Sequence, residues 1–244
     1  GNLKLSGNYK FPPGARREAH LICFSNLRVY TTMPSFGEMR GEIQLICGPM
    51  FSGKSTELIR RLTRYKLARQ KVLLFKYAKD TRYSVRNAVT HDGTEFPAIP
   101  AMLLCEHSCS KDVEDAGVIG VDEGQFFPDI VRFCESSANS GKIVIVSALD
   151  GTYLRDGFVT VMNLIPLCEQ LTKLSAVCHQ CGQDASFTSR RPCVTSNEVE
   201  VIGGEDMYMS LCRSCYHRFS PQGKQSVRED KLSKVETNGR LKFC

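Results

Sequence analysis

The chain has 244 residues, of which 42% are hydrophobic and 24% are charged. This length and composition are ordinary for a globular protein with one substantial core and a smaller second module. No apolar run approaches the roughly 20 residues of a transmembrane helix, so the sequence predicts a soluble protein with no membrane partner.

The net charge of +6 is unevenly distributed along the chain. Residues 1–40 carry six Lys or Arg against two Asp or Glu, residues 220–244 carry six against three, and residues 41–219 carry twenty against twenty-one. Nucleic-acid binding is therefore not expected of the central region, because it requires a clustered patch of cations. We interpret residues 1–40 as a flexible leader and residues 220–244 as a basic flexible tail.

A phosphate-binding loop follows the first predicted strand, residues 43–47. Its eight residues are Gly48, Pro49, Met50, Phe51, Ser52, Gly53, Lys54 and Ser55. They have the complete G-x-x-x-x-G-K-[ST] spacing, and a helical pattern over 55–70 follows, as this motif requires. Backbone N–H groups of such a loop surround phosphate oxygens, the lysine reaches the terminal phosphates, and the serine hydroxyl can ligate Mg²⁺.

The helix predicted over 55–70 is amphipathic. Its apolar stripe consists of Leu58, Ile59, Leu62 and Tyr65, and the arginines on its other face are Arg60, Arg61 and Arg64. We therefore expect one face to pack on a sheet and the three arginines to turn outward into solvent.

Strand and helix patterns then alternate. Residues 72–77, 117–121 and 142–147 are predicted strands, and a helix before the last of them is expected to begin with Pro128 as its first residue and to end at Gly141. This alternation predicts an α/β fold with a mostly parallel sheet and helices on both faces. Ligands of such sheets lie at the carboxyl ends of the strands.

Two acidic residues, Asp122 and Glu123, end the strand over 117–121 and form a Walker-B-like motif. In a P-loop site the aspartate belongs to the Mg²⁺ shell, and the glutamate is placed to accept a proton from an attacking hydroxyl or water. Water as the nucleophile would make the protein an ATPase, and a bound hydroxyl would make it a kinase. The motif itself leaves both open.

Two C-x-x-C pairs mark a second module. Cys178 and Cys181 form the first pair, Cys212 and Cys215 form the second, and thirty residues separate them. Two such pairs closing one loop supply a tetrahedral Cys₄ set without an open position, which is typical of structural Zn²⁺. They favour metal binding over disulfides and thus a reducing compartment, so we expect a cytoplasmic protein.

Together these motifs resemble the cellular (type II, human-like cytosolic) thymidine kinases. Beyond the P-loop and the Cys₄ loop, the resemblance rests on residues 76–83, 122–128 and 148–152, and it spans 41–219. It implies a P-loop (RecA-like) α/β kinase domain over 41–175 and a small zinc-containing β lasso domain over 176–219. The implied reaction transfers the γ-phosphate of ATP to the 5′-hydroxyl of thymidine, and more weakly deoxyuridine, giving dTMP for deoxyribonucleotide salvage and DNA synthesis. A homotetramer with dTTP as feedback inhibitor is also implied.

The resemblance also implies roles for individual residues. Glu123 is the expected general base, Lys54 and Arg82 assist transfer, Asp80 and Arg82 lie near the phosphates, and Ser55 with Asp122 holds Mg²⁺. The implied thymidine-binding residues are Met50, Gln125, Phe126, Leu149, Tyr153, Phe158, Thr188, Val199, Val201 and Tyr208. Of these, Thr188, Val199 and Val201 are expected to bind the pyrimidine through backbone hydrogen bonds.

An alternative function is a P-loop ATPase with a zinc-ribbon nucleic-acid-binding module, in which Glu123 activates water. It predicts ATP hydrolysis that DNA or RNA stimulates, with a steep dependence on salt. The near-neutral charge of 41–219 and the few cations around the cysteine pairs, such as Arg190, Arg191 and Arg213, argue against it.

Overall fold

A parallel β-sheet forms the centre of the region that the structure, a computed structural model, describes. The described residues are 41–80, 87–89, 95–191, 194 and 203–220, and they belong to one compact unit. Residues 1–40 and 221–244, which hold the expected leader and almost all of the expected tail, lie outside them.

The strands and helices follow the predicted alternation. In chain order they are β1 (Glu42–Gly48), α1 (Lys54–Leu67), β2 (Val72–Tyr77), β3 (Asn87–Val89), β4 (Glu95–Pro97), β5 (Ile99–Ala101), α2 (Lys111–Asp115), β6 (Val118–Val121), α3 (Ile130–Asn139), β7 (Ile143–Leu149), α4 (Val159–Leu164), β8 (Gln170–Lys173), β9 (Ala176–Val177), β10 (Asp184–Ala185), β11 (Phe187–Arg190), β12 (Tyr208–Leu211) and α5 (Arg213–Phe219). Short 3₁₀ turns lie at Cys105–His107, Gly124–Phe126 and Ile165–Leu167.

Six strands pair in the order β5-β2-β6-β7-β1-β8, and every pair is parallel. The predicted parallel sheet is therefore confirmed. In the β1–β7 pair Gly48 lies opposite Leu149, and in the β6–β7 pair Val121 lies opposite Val146. This register brings the carboxyl ends of β1, β6 and β7 to one edge, where the P-loop and the acidic pair meet.

Helices cover both faces of the sheet, as predicted. On one face Leu58, Ile59 and Leu62 of α1 pack against buried residues of β1, β2, β6 and β7. On the other face Phe133 of α3 and Leu164 of α4 pack against the opposite side of the same strands. Strands buried on both faces need apolar residues at successive positions, which is why β1, β6 and β7 appear in the sequence as short apolar runs.

The helix predicted to start at Pro128 begins later, at Ile130. The chain leaves Glu123 through a 3₁₀ turn, and a further turn follows in which the Ile130 N–H donates to the Phe127 carbonyl at 3.3 Å. Pro128 lies in that second turn and is not the first helical residue. The end of the helix is as predicted, since Gly141 follows its last turn with a φ of +85°.

Arg61 of α1 does not turn outward as predicted, because only 14% of its side chain is exposed. Its guanidinium donates to Gln44 on β1 and Thr172 on β8, both at 2.9 Å, and to Glu57 at 2.8 Å. The edge strand β8 supplies one of these three partners, Thr172. Arg60 and Arg64 are exposed as predicted.

A smaller β region follows the sheet. Two antiparallel pairs, β9–β10 and β11–β12, pack with α5 around a cluster of buried apolar side chains. These residues, which we call the cysteine cluster core, are Ala176, Cys178, Ala185, Met209, Leu211, Cys215 and Tyr216. Among the residues described, no helix has the length and apolar character that crossing a membrane requires.

Candidate functional site

The P-loop connects β1 to α1 through two special backbone positions. Gly48 has a φ of +153°, and a Cβ there would lie 2.5 Å from the Leu174 carbonyl oxygen. Gly53 caps α1 in the left-handed conformation, with a φ of +77°. Glycine is required at the first position by close approach and is favoured at the second by backbone conformation.

The Pro49 carbonyl organises the interior of the loop. It accepts hydrogen bonds from Ser52 Oγ at 2.8 Å and from Lys54 Nζ at 2.7 Å. Burial lowers the pKa of Lys54, and the carboxylates of Glu123, Asp122 and Asp150 oppose that shift. The lysine of the motif therefore shares one edge of the sheet with the acidic residues that follow β6 and β7.

Asp122 is the acceptor on which three elements converge. Its Oδ1 accepts from Ser55 Oγ of α1 at 3.0 Å, from the Glu123 N–H at 3.1 Å and from Ser147 Oγ of β7. The pKa of Asp122 is raised to about 6, first by burial and then by repulsion from Glu123, while the hydrogen bonds from Ser147 and Ser55 act against the rise. A buried carboxylate beside a hydroxyl is a suitable pair of ligands for a hard cation.

Glu123 occupies the turn after β6 with a left-handed backbone, at a φ of 56°. Gln125 Nε2 donates to its Oε2 at 2.6 Å, and Gln125 Oε1 accepts from the Leu149 N–H at 2.9 Å. Gln125 is only 6% exposed. The buried amide thus links the glutamate to the end of β7. Gln125 was predicted as a thymidine-binding residue, but this contact with Glu123 was not predicted.

Asp80 lies in the turn after β2, and its N–H donates to the Tyr77 carbonyl at 3.0 Å. Because β2 pairs with β6, this turn is at the same end of the sheet as Asp122. Arg82, which was predicted to act beside it, lies outside the described residues, as do Val199 and Val201.

The remaining residues of the predicted thymidine pocket fall into two groups. Near the sheet, Phe126 stacks on Tyr77 with ring centroids 5.2 Å apart, and Phe158 and Leu149 belong to the hydrophobic core beside α4. In the smaller β region Tyr208 lies on β12, and Tyr153, in the loop after β7, contacts this region.

Arg190 on β11 joins the second group, and the sequence analysis gave it no role there. Its guanidinium carbon lies 4.0 Å from the centre of the Tyr153 ring and 5.8 Å from that of Tyr208. Only 3% of Arg190 is exposed. Tyr216 holds the same loop, since its hydroxyl donates to the Tyr153 carbonyl at 2.8 Å. No local signal marks either residue, because both contacts join distant parts of the chain.

The four predicted zinc ligands come together. The sulfurs of Cys178, Cys181, Cys212 and Cys215 all lie within 4.8 Å of one another. The Cys181 and Cys212 sulfurs are 3.7 Å apart, and tetrahedral Zn²⁺ with bonds of about 2.3 Å spaces its sulfur ligands about 3.8 Å apart. Four converging thiols at this spacing fit a structural zinc.

The fold and the site define the class of the protein. It is an α/β P-loop protein, with the loop between a parallel strand and a helix and an acidic pair at the end of a nearby strand. A family model described as "Thymidine kinase" matches residues 41–216. The chain belongs to the thymidine kinase family.

Individual relatives agree with the family model. The cytosolic thymidine kinase of Gallus gallus is 54% identical over 80% of this chain and 86% of its own, and that of Homo sapiens is 52% identical over 80% and 81%. The thymidine kinase of Vaccinia virus (strain Ankara) is 56% identical over 72% and 97%. Among solved structures, the flagellar accessory protein FlaH of Methanocaldococcus jannaschii covers 72% of this chain and 80% of its own, with a TM-score of 0.41 and 14% identity, too distant to add to the argument. Family membership favours a kinase over the ATPase alternative.

We expect the purified protein to hold about one zinc ion per chain, and Cys181→Ser to lose most of it, because a closed site needs all four thiolates. Metal content measured by mass spectrometry after gel filtration checks this. Cys109→Ser, at an exposed cysteine outside the cluster, is the matched control and should keep its zinc. Equal zinc in both variants would contradict the assignment.

The raised pKa of Asp122 predicts a pH-dependent stability. Since this carboxyl binds its proton more tightly in the folded state, its protonation stabilises the fold at low pH, and that contribution is lost as pH rises through about 6. Relative to Asp122→Asn, the free energy of unfolding of the unmodified protein should fall by on the order of 1–3 kcal/mol between pH 4.5 and 7.5. Urea unfolding of both proteins without Mg²⁺ or nucleotide measures this, and parallel pH profiles would refute it.

Proposed function

We propose that this protein transfers the γ-phosphate of ATP to the 5′-hydroxyl of thymidine, giving dTMP for deoxyribonucleotide salvage, with deoxyuridine as a weaker acceptor. One observation carries the proposal. In a chain of the thymidine kinase family, Glu123 is held by Gln125 at the sheet edge where Ser55 and Asp122 meet beside the P-loop.

The P-loop is the proposed phosphate-donor site. Backbone N–H groups of residues 51–55 and the Lys54 ammonium bind the triphosphate. Ser55 Oγ and Asp122 Oδ1 are 3.0 Å apart, and adjacent ligands of octahedral Mg²⁺ are about 3 Å apart, so this pair suits the cation directly or through water. When bound, Mg²⁺ offsets the negative charge of the phosphates.

Glu123 is the proposed general base, which accepts the proton of the 5′-hydroxyl as that oxygen attacks the γ-phosphorus. The hydrogen bond from Gln125 fixes the orientation of its carboxylate, so Gln125 is a positioning residue. Asp80 and Arg82 are proposed to lie beside the transferred phosphoryl group. There the arginine would offset the negative charge that develops during transfer.

The thymidine site is proposed to lie between the two groups of predicted pocket residues, one near the sheet and one in the smaller β region. Phe126, Leu149 and Phe158 would form its sheet side, and Tyr153, Tyr208 and Met50 the side towards the smaller β region. Backbone groups of Thr188, Val199 and Val201 would pair with the edge of the pyrimidine, and leaving one such group unpaired costs about 1–3 kcal/mol. In this proposal residues 41–175 form the kinase domain and 176–219 the zinc-tied lasso domain.

The decisive experiment supplies Mg-ATP with thymidine, deoxyuridine, deoxycytidine, deoxyadenosine or single-stranded DNA and follows both nucleoside monophosphate and free phosphate. Thymidine should be the preferred acceptor, deoxyuridine a weaker one, and dTTP should inhibit. Release of phosphate that depends on DNA, with no nucleoside product, would replace this proposal with the ATPase.

Glu123→Gln should lower kcat for thymidine phosphorylation by about 10²- to 10⁴-fold, because an amide cannot accept the proton. Affinity for Mg-ADP, measured by calorimetry, should change little, since the P-loop is intact. Glu106→Gln, at an exposed glutamate distant in sequence from the acidic pair, is the matched control and should retain full activity. Unchanged kcat in Glu123→Gln would remove the general base from its role.

A homotetramer in the cytoplasm is part of the proposal, supported by family membership and by vertebrate relatives described as cytosolic. The chain has a mass of 27.3 kDa, so light scattering of the purified protein should give four times that value. A particle with the mass of one chain would contradict the tetramer without affecting the proposed reaction.

A further inference from the structure

Two contacts join the tip of the P-loop to the smaller β region. The Met50 N–H donates to Thr188 Oγ1 on β11 at 3.0 Å, across 138 positions of sequence. The Phe51 side chain packs against the cysteine cluster core. Neighbouring residues of the phosphate-binding motif are therefore both held by the part of the chain that carries the four cysteines.

Phe51 has an uncommon backbone for a residue with a large side chain. Its φ is 64°, in the left-handed region that non-glycine residues rarely adopt. Such a conformation costs free energy and persists where the surroundings hold it. Here the ring lies against a cluster that contains Cys178 and Cys215, so the packing that holds the loop conformation depends on the cysteine region.

Thr188 is equally well anchored, because only 5% of it is exposed and it pairs with Ser210 in the β11–β12 ladder. The Ser210 hydroxyl donates to the Val177 carbonyl at 2.7 Å, and the Ser210 carbonyl accepts from the His179 N–H at 2.9 Å. Both partners lie beside Cys178. Thr188 is thus the ladder neighbour of a residue that hydrogen-bonds to the chain on both sides of Cys178, and these contacts connect the first cysteine pair to the P-loop.

We propose that the cysteine region is a positioning element for the phosphate-donor loop, acting through the Thr188 hydroxyl and the Phe51 ring. The inference rests on the proposed binding of ATP at the P-loop. Because a loop held in its binding conformation loses less entropy when phosphate binds, removing either contact weakens nucleotide affinity even when no nucleoside is present. A region that only covers the nucleoside has no such effect.

The test measures the Kd for Mg-ADP by calorimetry, without thymidine, in the full chain and in two variants at position 188. Thr188→Val keeps the shape of the side chain and removes the acceptor, and we expect its Kd to rise about three- to tenfold. Thr188→Ser keeps the hydroxyl and is the matched control, with a Kd within about twofold of the unmodified protein. Zinc content and thermal unfolding are recorded for every protein, so that a folding defect is recognised.

Two further measurements keep the inference testable if Thr188→Val folds poorly. Phe51→Leu shortens the packing side chain and should also raise the Kd for Mg-ADP. Removing zinc from the unmodified protein with a chelator should raise it as well, while circular dichroism checks that the central sheet persists. In each case the quantity compared is nucleotide affinity in the absence of thymidine.

Weaker Mg-ADP binding in Thr188→Val but not in Thr188→Ser supports the inference. Unchanged Mg-ADP affinity in Thr188→Val and Phe51→Leu, with a raised KM for thymidine alone, would overturn it and restrict the cysteine region to the nucleoside. Failure of the unmodified protein to bind Mg-ADP is a different result, because it would overturn the proposed function itself and the inference with it.

Discussion

A carboxylate taken out of water needs donors around it, and at Asp122 these donors come from three parts of the fold. Ser55 donates to it from the first turn of α1 and Ser147 donates from β7. The backbone N–H of Glu123 donates from the turn that follows β6. Each donor is in place only because β1, β6 and β7 are parallel and in register. The geometry of the site is therefore a property of the sheet, and a shift of one strand would remove a donor from a buried charge.

Positively and negatively charged side chains alternate at this edge of the sheet. Lys54 lies among Glu123, Asp122 and Asp150, and Asp150 also forms an ion pair with Lys173 at 2.8 Å. The pKa of Asp122 is raised first by burial and second by repulsion from Glu123, and the nearby lysines reduce the repulsion among these carboxylates. A cation that bound at the Asp122 carboxylate would act in the same direction, so apo stability and cation affinity are linked at one side chain.

Much of the fold was accessible from the sequence because local patterns specify it. The central strands appear in the sequence as apolar runs. The P-loop is recognised by its two glycines and by the Lys54–Ser55 pair. The edge strand β8 was missed, since Gln170–Lys173 is mostly exposed and has no apolar period, and the three-residue β5 is too short to show one. Arg61 was placed in solvent because its partners, Gln44 and Thr172, are recognisable only once β8 is beside β1. Arg190 was named only as a cation near the cysteine pairs, and its place beside Tyr153 and Tyr208 was missed because these aromatic partners come from two separate segments.

The hydrogen bond between Met50 and Thr188 closes one of the longest loops in the chain. Contacts between residues so far apart form late, because much chain must be ordered before they can be made. During synthesis the whole phosphate-binding motif leaves the ribosome well before β11 exists. A nascent chain therefore carries the complete motif for a period in which the threonine that holds its tip has not yet been made, and the loop reaches its final form only when the C-terminal part of the protein has folded onto it.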